Sequence, residues 1–332
     1  MTNNASFAAH TILAAIAGTA LTLLPGLASA QETFPTKAVR IVVPYAAGGT
    51  TDIAGRLVGQ RLSAIWKQPV LIDNRAGASG SIGSAVVAKS APDGYNLVLG
   101  GGASHGAYEL IYADKAPYNS LRDFTPLSML TSIRYVLVVH PSVPAQTTKE
   151  LVALAKAQAG KLNYGSSAIG SAPQLATELF KLTTGTDIVH VPFNGAGPAM
   201  NALLGNTIQV MFASAPTASE QVRAGKLRAL FTASATRAPQ LPDTPTSAEA
   251  GFPGVEMDSW SGLLGPAGMA RPLVTRINAD VVKSVEGEEM RQAFAKLGFD
   301  RFTSTPEGMA DFMRAERERV ARIVREAGIK GE

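Results

Sequence analysis

From residue 39 onward the chain alternates short apolar runs with amphipathic stretches, and many of the joints between them are rich in glycine. Runs at 39–43, 70–72, 96–99, 135–139, 162–164, 188–191, 208–212 and 227–231 have strand length. Between them, 50–62, 82–88, 148–158, 173–183, 198–204 and 218–224 carry apolar residues at helical spacing. This alternation predicts an α/β protein with mostly parallel sheets flanked by helices, because each crossover helix returns the chain to the same edge. The strands are too many for one doubly wound sheet, and two sheets of about five strands each fit better. The stretch 306–327 reads as a long helix: Phe312, Val320, Ile323 and Val324 form its apolar stripe, and mixed Arg and Glu its solvated face.

The stretch at 124–132 predicts a crossing from one domain to the other, and the Pro-, Thr- and Gly-dense stretch at 241–253 predicts the return. The expected organisation is a leader at 1–30, a discontinuous first lobe from 31–130 and 252–332, and a second lobe at 131–251. Ligands of open α/β sheets bind beyond the carboxyl ends of the strands, so the site is expected in the cleft between the lobes.

The chain has 332 residues and no cysteine. A disulfide framework, a cysteine nucleophile, thiolate metal sites and a lipid anchor on a mature N-terminal cysteine are thereby excluded. The net charge of +4 is small and the basic residues are scattered, which is poor evidence for nucleic-acid binding. Residues 1–30 contain no Asp, Glu, Lys or Arg, are almost wholly apolar over 12–24, and end in Ala28-Ser29-Ala30. This reads as a cleaved signal peptide rather than a membrane span, although no Lys or Arg precedes the apolar core. The mature protein is therefore expected to be exported and not lipid-anchored.

Three polar, glycine-rich turns join strands to helices. The first, Pro44 to Asp52, holds Tyr45, Ala47, Gly48, Gly49, Thr51 and Asp52. Paired glycines let the backbone approach a ligand, and the amides of the helix that follows favour an anion without any Lys or Arg. An Asp in such a loop suits a cap or a held water better than direct contact with a carboxylate. Alone, the motif serves equally as a structural turn. The second turn, Tyr164 to Ser171, offers Ser166, Ser167, Gly170 and Ser171, and the third contains Phe193, a pocket wall or a core aromatic.

Gly102-Ala103-Ser104-His105-Gly106 is a formal G-x-S-x-G match and makes a secreted serine esterase using Ser104 the alternative reading. His140 and His190 come later in the chain, but neither follows a recognisable acid. No H-E-x-x-H, no G-x-x-x-x-G-K-[ST] and no G-x-G-x-x-G after the first strand occurs, so neither a metal nor a nucleotide cofactor is expected.

In combination these segments resemble the Bug family of periplasmic solute-binding proteins, the receptors of tripartite tricarboxylate transporters. The resemblance is carried, in order, by the 44–52 loop, Asn74-Arg75, Ala91-Pro92-Asp93-Gly94-Tyr95, Asp123-Phe124-Thr125-Pro126, the 164–171 turn, Pro192-Phe193, Ala224-Gly225-Lys226, Leu241-Pro242-Asp243 and Trp260 with Gly262. It implies two α/β lobes that close over a small ligand. It also implies that the loop matching Tyr45–Asp52 holds one carboxylate, partly through waters, and that the loop matching Ser166–Ser171 adds donors from the other lobe. Ser104, His105 and Phe193 complete the expected ligand-binding set. Three positions depart from the family pattern: Tyr108 where an Asn is frequent, Gln174 where a His is frequent, and Ala213 where an Asp is frequent. The missing acid at Ala213 suggests tolerance of a second carboxylate, and Tyr108 with Phe193 suggests an aromatic acid. The resulting expectation is a non-catalytic, monomeric receptor for a di- or tricarboxylate or an aromatic acid. Its partners are expected to be the membrane subunits of a tripartite tricarboxylate-type transporter, or a sensor. A surface adhesion protein would instead show no cleft.

Overall fold

The computed structural model describes residues 34–331; the predicted leader lies outside them. The chain enters through strand β1 (Val39–Val43), helix α1 (Thr50–Trp66), β2 (Val70–Asn74), α2 (Ser81–Ala88) and β3 (Asn96–Gly101). A π-helical turn over Gly102–Ala107 leads into the short α3 (Tyr108–Ile111), and the long β4 (Phe124–Ile133) follows. The next elements are β5 (Tyr135–Val139), α4 (Thr148–Ala157), β6 (Asn163–Ser166), α5 (Ala172–Thr184), β7 (Val189–Pro192), α6 (Ala196–Leu204), β8 (Val210–Ser214), α7 (Ala215–Arg223) and β9 (Arg228–Thr232). The chain closes with β10 (Ser259–Pro266), α8 (Arg271–Ser284), α9 (Glu288–Leu297), β11 (Asp300–Arg301) and α10 (Pro306–Glu326).

These strands form two sheets, one of six strands in the order β11-β4-β10-β3-β1-β2 and one of five in the order β7-β6-β8-β5-β9. The chain thus leaves the first sheet at Ile133, enters the second at Tyr135 and returns at Ser259. The fold is the expected α/β arrangement of two sheets flanked by helices. The expectation of mostly parallel strands holds on one side of each sheet, where β2-β1-β3 and β7-β6-β8 are parallel. It gives way at the crossing strands: β10 runs antiparallel to both β3 and β4, and β5 antiparallel to both β8 and β9. The physical reason is that β5 and β10 each enter their sheet from the other one, with no crossover helix within the sheet to set them parallel to their neighbours.

Segment 124–132, read from sequence as a crossing, is itself most of a ten-residue strand. The sequence reading also had no elements at β10, α8 and α9. β10 hid because it is buried along nearly its whole length, so its residues do not alternate.

Each sheet has its own core. Under the first, Val42, Val98, Met129, Trp260, Met309 and Met313 pack together. Under the second, Phe180, Phe212 and Phe231 meet with ring centroids 5.6–6.5 Å apart. Helix α10 serves both: Met309 and Met313 near its start join the first core, whereas Val320, Ile323 and Val324 join the second. Ala107, with Leu110 and Ile111 beside it, likewise packs against the second core from the first-sheet side.

Candidate functional site

A cavity of about 210 Å³ lies where the two sheets face each other. It is smaller than the ~300–1,000 Å³ of sites for drug-sized ligands, so its occupant must be small. Three regions wall it. Tyr45, Thr50 and Thr51, with Gly101 to Ala103, come from the first sheet's loops; Ser167, Ser171, Ala172, Pro173 and Leu175 come from the second. Tyr135, Met257, Asp258, Ser259 and Trp260 come from the crossing segments, and Glu316 from α10.

Two helices start at this cavity. The N-cap of α1 is Gly49, which has no side chain to accept from the first-turn amides, and the N-cap of α5, Ser171, makes no side-chain cap hydrogen bond. Helix starts leave their first amides without intrahelical partners, and those amides sit at the positive end of the macrodipole. Ordinarily Ser at an N-cap satisfies one of them. Here the Ser171 hydroxyl donates instead to the carbonyl of Ala168, 2.7 Å away. Two uncapped helix starts converging on one small cavity form a site for an anion built from neutral donors.

Asp52 holds the first loop from behind. Its carboxylate accepts from the Gly48 amide at 2.8 Å, from Asn74 Nδ2 at 2.9 Å and from Arg56 Nε at 3.0 Å. Burial pushes the Asp52 carboxyl up, but the hydrogen bonds from Arg56, Gly48 and Asn74 outweigh it and hold the group below the usual carboxylate range. Asn74 Nδ2 also donates to the Tyr45 carbonyl at 3.2 Å. Gly48 sits at φ +80°, a left-handed conformation that a Cβ would strain. Thus Ala47, Gly48, Gly49 and Asp52 shape the loop, while Tyr45 and Thr51 reach the cavity wall.

Ser104 and His105 are buried behind that wall and do not line it. Ser104 Oγ lies 2.8 Å from His105 Nδ1 and accepts from the Tyr45 hydroxyl at 3.1 Å. Burial pushes His105 down to about 3, so its imidazole is neutral. The imidazole stacks on Tyr118 and meets Phe124 edge-on. A nucleophile elbow presents its serine at the top of a sheet. Here the serine lies in a π-helical turn, fully enclosed and already bonded. The pair props the Tyr45 ring that faces the cavity.

On the other side Ser167 and Ser171 line the cavity. Ser166 is buried and bonded 2.7 Å from His190 Nε2, while the Gly170 amide donates to Gln174 Oε1 at 2.6 Å. Phe193 packs with Val191 against the second sheet's core and is not a cavity residue. Tyr108 is buried against Tyr112 and Tyr118, also away from the cavity. Neither reaches the cavity, and the rings in the wall are Tyr45, Tyr135 and Trp260. Ala213 belongs to the second sheet's core. Of the acids that line the cavity, Asp258 went unnoticed in the sequence, and Glu316 belongs to the Arg and Glu mixture read as the solvated face of the last helix, although it is buried. The one signal for Asp258 was position, two residues before Trp260, a residue already marked as part of an ordered motif.

The glycine run after β3 allows close approach. A Cβ on Gly101 would come within 2.7 Å of the Trp260 carbonyl oxygen, and one on Gly102 within 3.3 Å of its indole Nε1. Among the described residues no group of three or more His, Asp or Glu is placed to hold a metal ion, and no helix is long and apolar enough to cross a membrane.

The model of the tripartite tricarboxylate transporter family receptor matches residues 54–329. The chain belongs to this family. It is 35% identical over 299 residues to Protein BugT of Bordetella pertussis, covering 90% of this chain and 92% of that one. Among solved structures, R. palustris Rpa4515 with adipate superposes with a TM-score of 0.79 at 34% identity, covering 90% of this chain and 99% of the other. MatC from Rhodopseudomonas palustris with bound malate superposes with a TM-score of 0.75 at 32% identity, covering 88% of this chain and all of the other (100%).

Proposed function

We propose that this protein is an extracytoplasmic receptor that captures a small carboxylate as two lobes close over it, without chemical turnover. It then delivers the ligand to membrane subunits of a tripartite tricarboxylate-type transporter, or to a sensor. The observation that carries this reading is the convergence of the uncapped starts of α1 and α5 on one cavity of about 210 Å³. The carboxylates named with the two superposed structures, adipate and malate, support the same ligand class.

In this reading the lobes are 31–130 with 252–332, and 131–251, with α10 shared between their cores. Tyr45, Thr51, Ser167 and Ser171 contact the ligand, and Ala47, Gly48, Gly49, Asp52, Ser104, His105, Ser166 and Gly170 hold the loops that present it. The protein acts as a monomer in the periplasm, exported through a cleaved leader at 1–30 and not lipid-anchored. Closure follows because only the liganded cleft satisfies donors from both lobes at once.

A melting scan against di- and tricarboxylates, aromatic acids and acidic amino acids tests it. A ligand at 100 times its dissociation constant adds about 2.7 kcal/mol of stability. A scan in which no carboxylate raises the melting temperature would sink the reading. The loop assignment has its own test: Gly49→Val places a branched side chain where a Cβ already meets the Ala46 carbonyl at 3.3 Å, and should abolish binding in a folded protein. Tight binding by that variant would refute it.

A further inference from the structure

The cavity wall contains two buried polar atoms with no partner, of opposite kinds. Asp258 Oδ1 is an acceptor without a donor, and Trp260 Nε1 is a donor without an acceptor. The two residues stand two apart at the start of β10, and both line the cavity. The other oxygen of Asp258 accepts from the Ser234 hydroxyl at 2.9 Å. Arg134 and Arg319 act on Asp258 by charge, but neither forms a salt bridge with it. The guanidinium of Arg134 pairs with Asp300, and that of Arg319 with Glu316, another acid of the wall. Arg319 spends a further donor on the Glu256 carbonyl at 2.8 Å. A buried carboxylate oxygen left unpaired is costly, and the cost is relieved by a donor or by protonation.

We infer that Asp258 is the specificity residue for the ligand's second group. The carboxylate held at the helix starts must also carry a hydrogen-bond donor without negative charge, an ammonium or a hydroxyl, rather than a second ionised carboxylate. The inference deepens the carboxylate-receptor reading above and rests on it. A second carboxylate would meet Asp258 and Glu316 as like charges in a cavity of about 210 Å³. An ammonium or hydroxyl would instead supply the proton that Asp258 Oδ1 lacks. Trp260 Nε1 remains available to an acceptor beside that donor.

Titration calorimetry on the full chain tests this with matched acids of four, five and six carbons and a benzoate series. Each set comprises the unsubstituted acid, its terminal hydroxyl and amino (aminomethyl for the ring) forms, and the diacid. At the length that fits, the donor-bearing form should bind at least about tenfold more tightly than both the unsubstituted acid and the diacid, as for one hydrogen bond to a charged group. The hydroxyl and amino arms tell a neutral donor from a cation. In Asp258→Ala the preference should fall below about threefold. In the isosteric Asp258→Asn, whose amide can donate, the diacid should gain on the other forms. A diacid that binds wild type most tightly, or a donor preference that survives unchanged in Asp258→Ala, overturns the inference and leaves the carboxylate reading standing. Failure of every acid to bind wild type removes both.

Discussion

Asp52 and Asp258 are both acids near the cavity, and their surroundings give them opposite work. Asp52 is satisfied three times over, and its role is to hold the Gly48 amide and Asn74 in place. Asp52→Ala should therefore cost about 1–3 kcal/mol in urea unfolding, because it strands those donors, and should weaken carboxylate binding through the loop. Asp258, raised to about 6 by burial despite the Ser234 hydroxyl and the charges of Arg134 and Arg319, with Asp300 opposing them, has a pH signature. Its folded-state value lies above the unfolded ~3.9. Its contribution to stability is thus full below about pH 4 and is lost as pH rises through about 6. The stability advantage of Asp258→Asn over wild type, followed by urea unfolding, should grow across that window and then level off, reaching about 1–3 kcal/mol. An advantage independent of pH would mean that burial does not raise the Asp258 carboxyl. Ser104→Ala should lower stability, since it leaves the buried His105 Nδ1 unpartnered. It should change no ester turnover. Of the residues picked from sequence, the loop residues were legible because glycine pairs and hydroxyls before a helix have a local meaning. Ser104 and His105, expected in the cleft, stand behind its wall, and their burial depends on Tyr118 and Phe124, more than ten residues away.

Among the elements, α10 carries the most unexpected load. Its apolar stripe at three-to-four spacing was visible in sequence, but not that the stripe divides between two cores. Its start is fixed by the Thr305 hydroxyl, which accepts from the Gly308 amide at 3.0 Å, and by Pro306. Thr305→Ala should cost about 1 kcal/mol. Ile323, fully buried in the second core, should cost about 2–5 kcal/mol when cut to Ala, although it lies far in sequence from every strand of that sheet. Chemical denaturation of the two variants reads both numbers, and an Ile323→Ala protein as stable as wild type would deny the helix its place in the second core. Strand β10 is the counterpart among strands. Placed between β3 and β4, it brings Ser259 and Trp260 to the cavity and ties the return crossing into the first sheet.

At the scale of the whole molecule, ligand capture becomes a question of how two sheets share one cavity. Ala107 in the π-helical turn and Ile111 in α3 already pack against the second sheet's core: a Cβ on Gly170 would come within 2.8 Å of Ile111 Cδ1 and 3.4 Å of Ala107 Cβ. Opening the cleft must break such contacts, and a ligand that bonds both helix starts favours their reformation. Trp260 lies in the cavity wall, whereas Trp66 is in α1 with its indole N–H donating to Asp280 at 2.8 Å. The fluorescence change on ligand binding should therefore survive Trp66→Phe and vanish in Trp260→Phe. The reverse result would place the ligand elsewhere.

The alternation of apolar runs and amphipathic stretches determined by itself that the chain is α/β with two sheets, and the neutral, glycine-rich turns supplied the two helix starts on which the proposed anion site rests. Both are local properties: strand and helix periods and helix-start chemistry act within a few residues. The tertiary structure alone decided which turn residues reach the cavity and which stand behind it. It also decided that β4, β5 and β10 run against their neighbours, and that Asp258 and Glu316 complete the wall. Those outcomes depend on contacts between segments far apart in the chain, where burial and the supply of partners, rather than residue type, set what a side chain does.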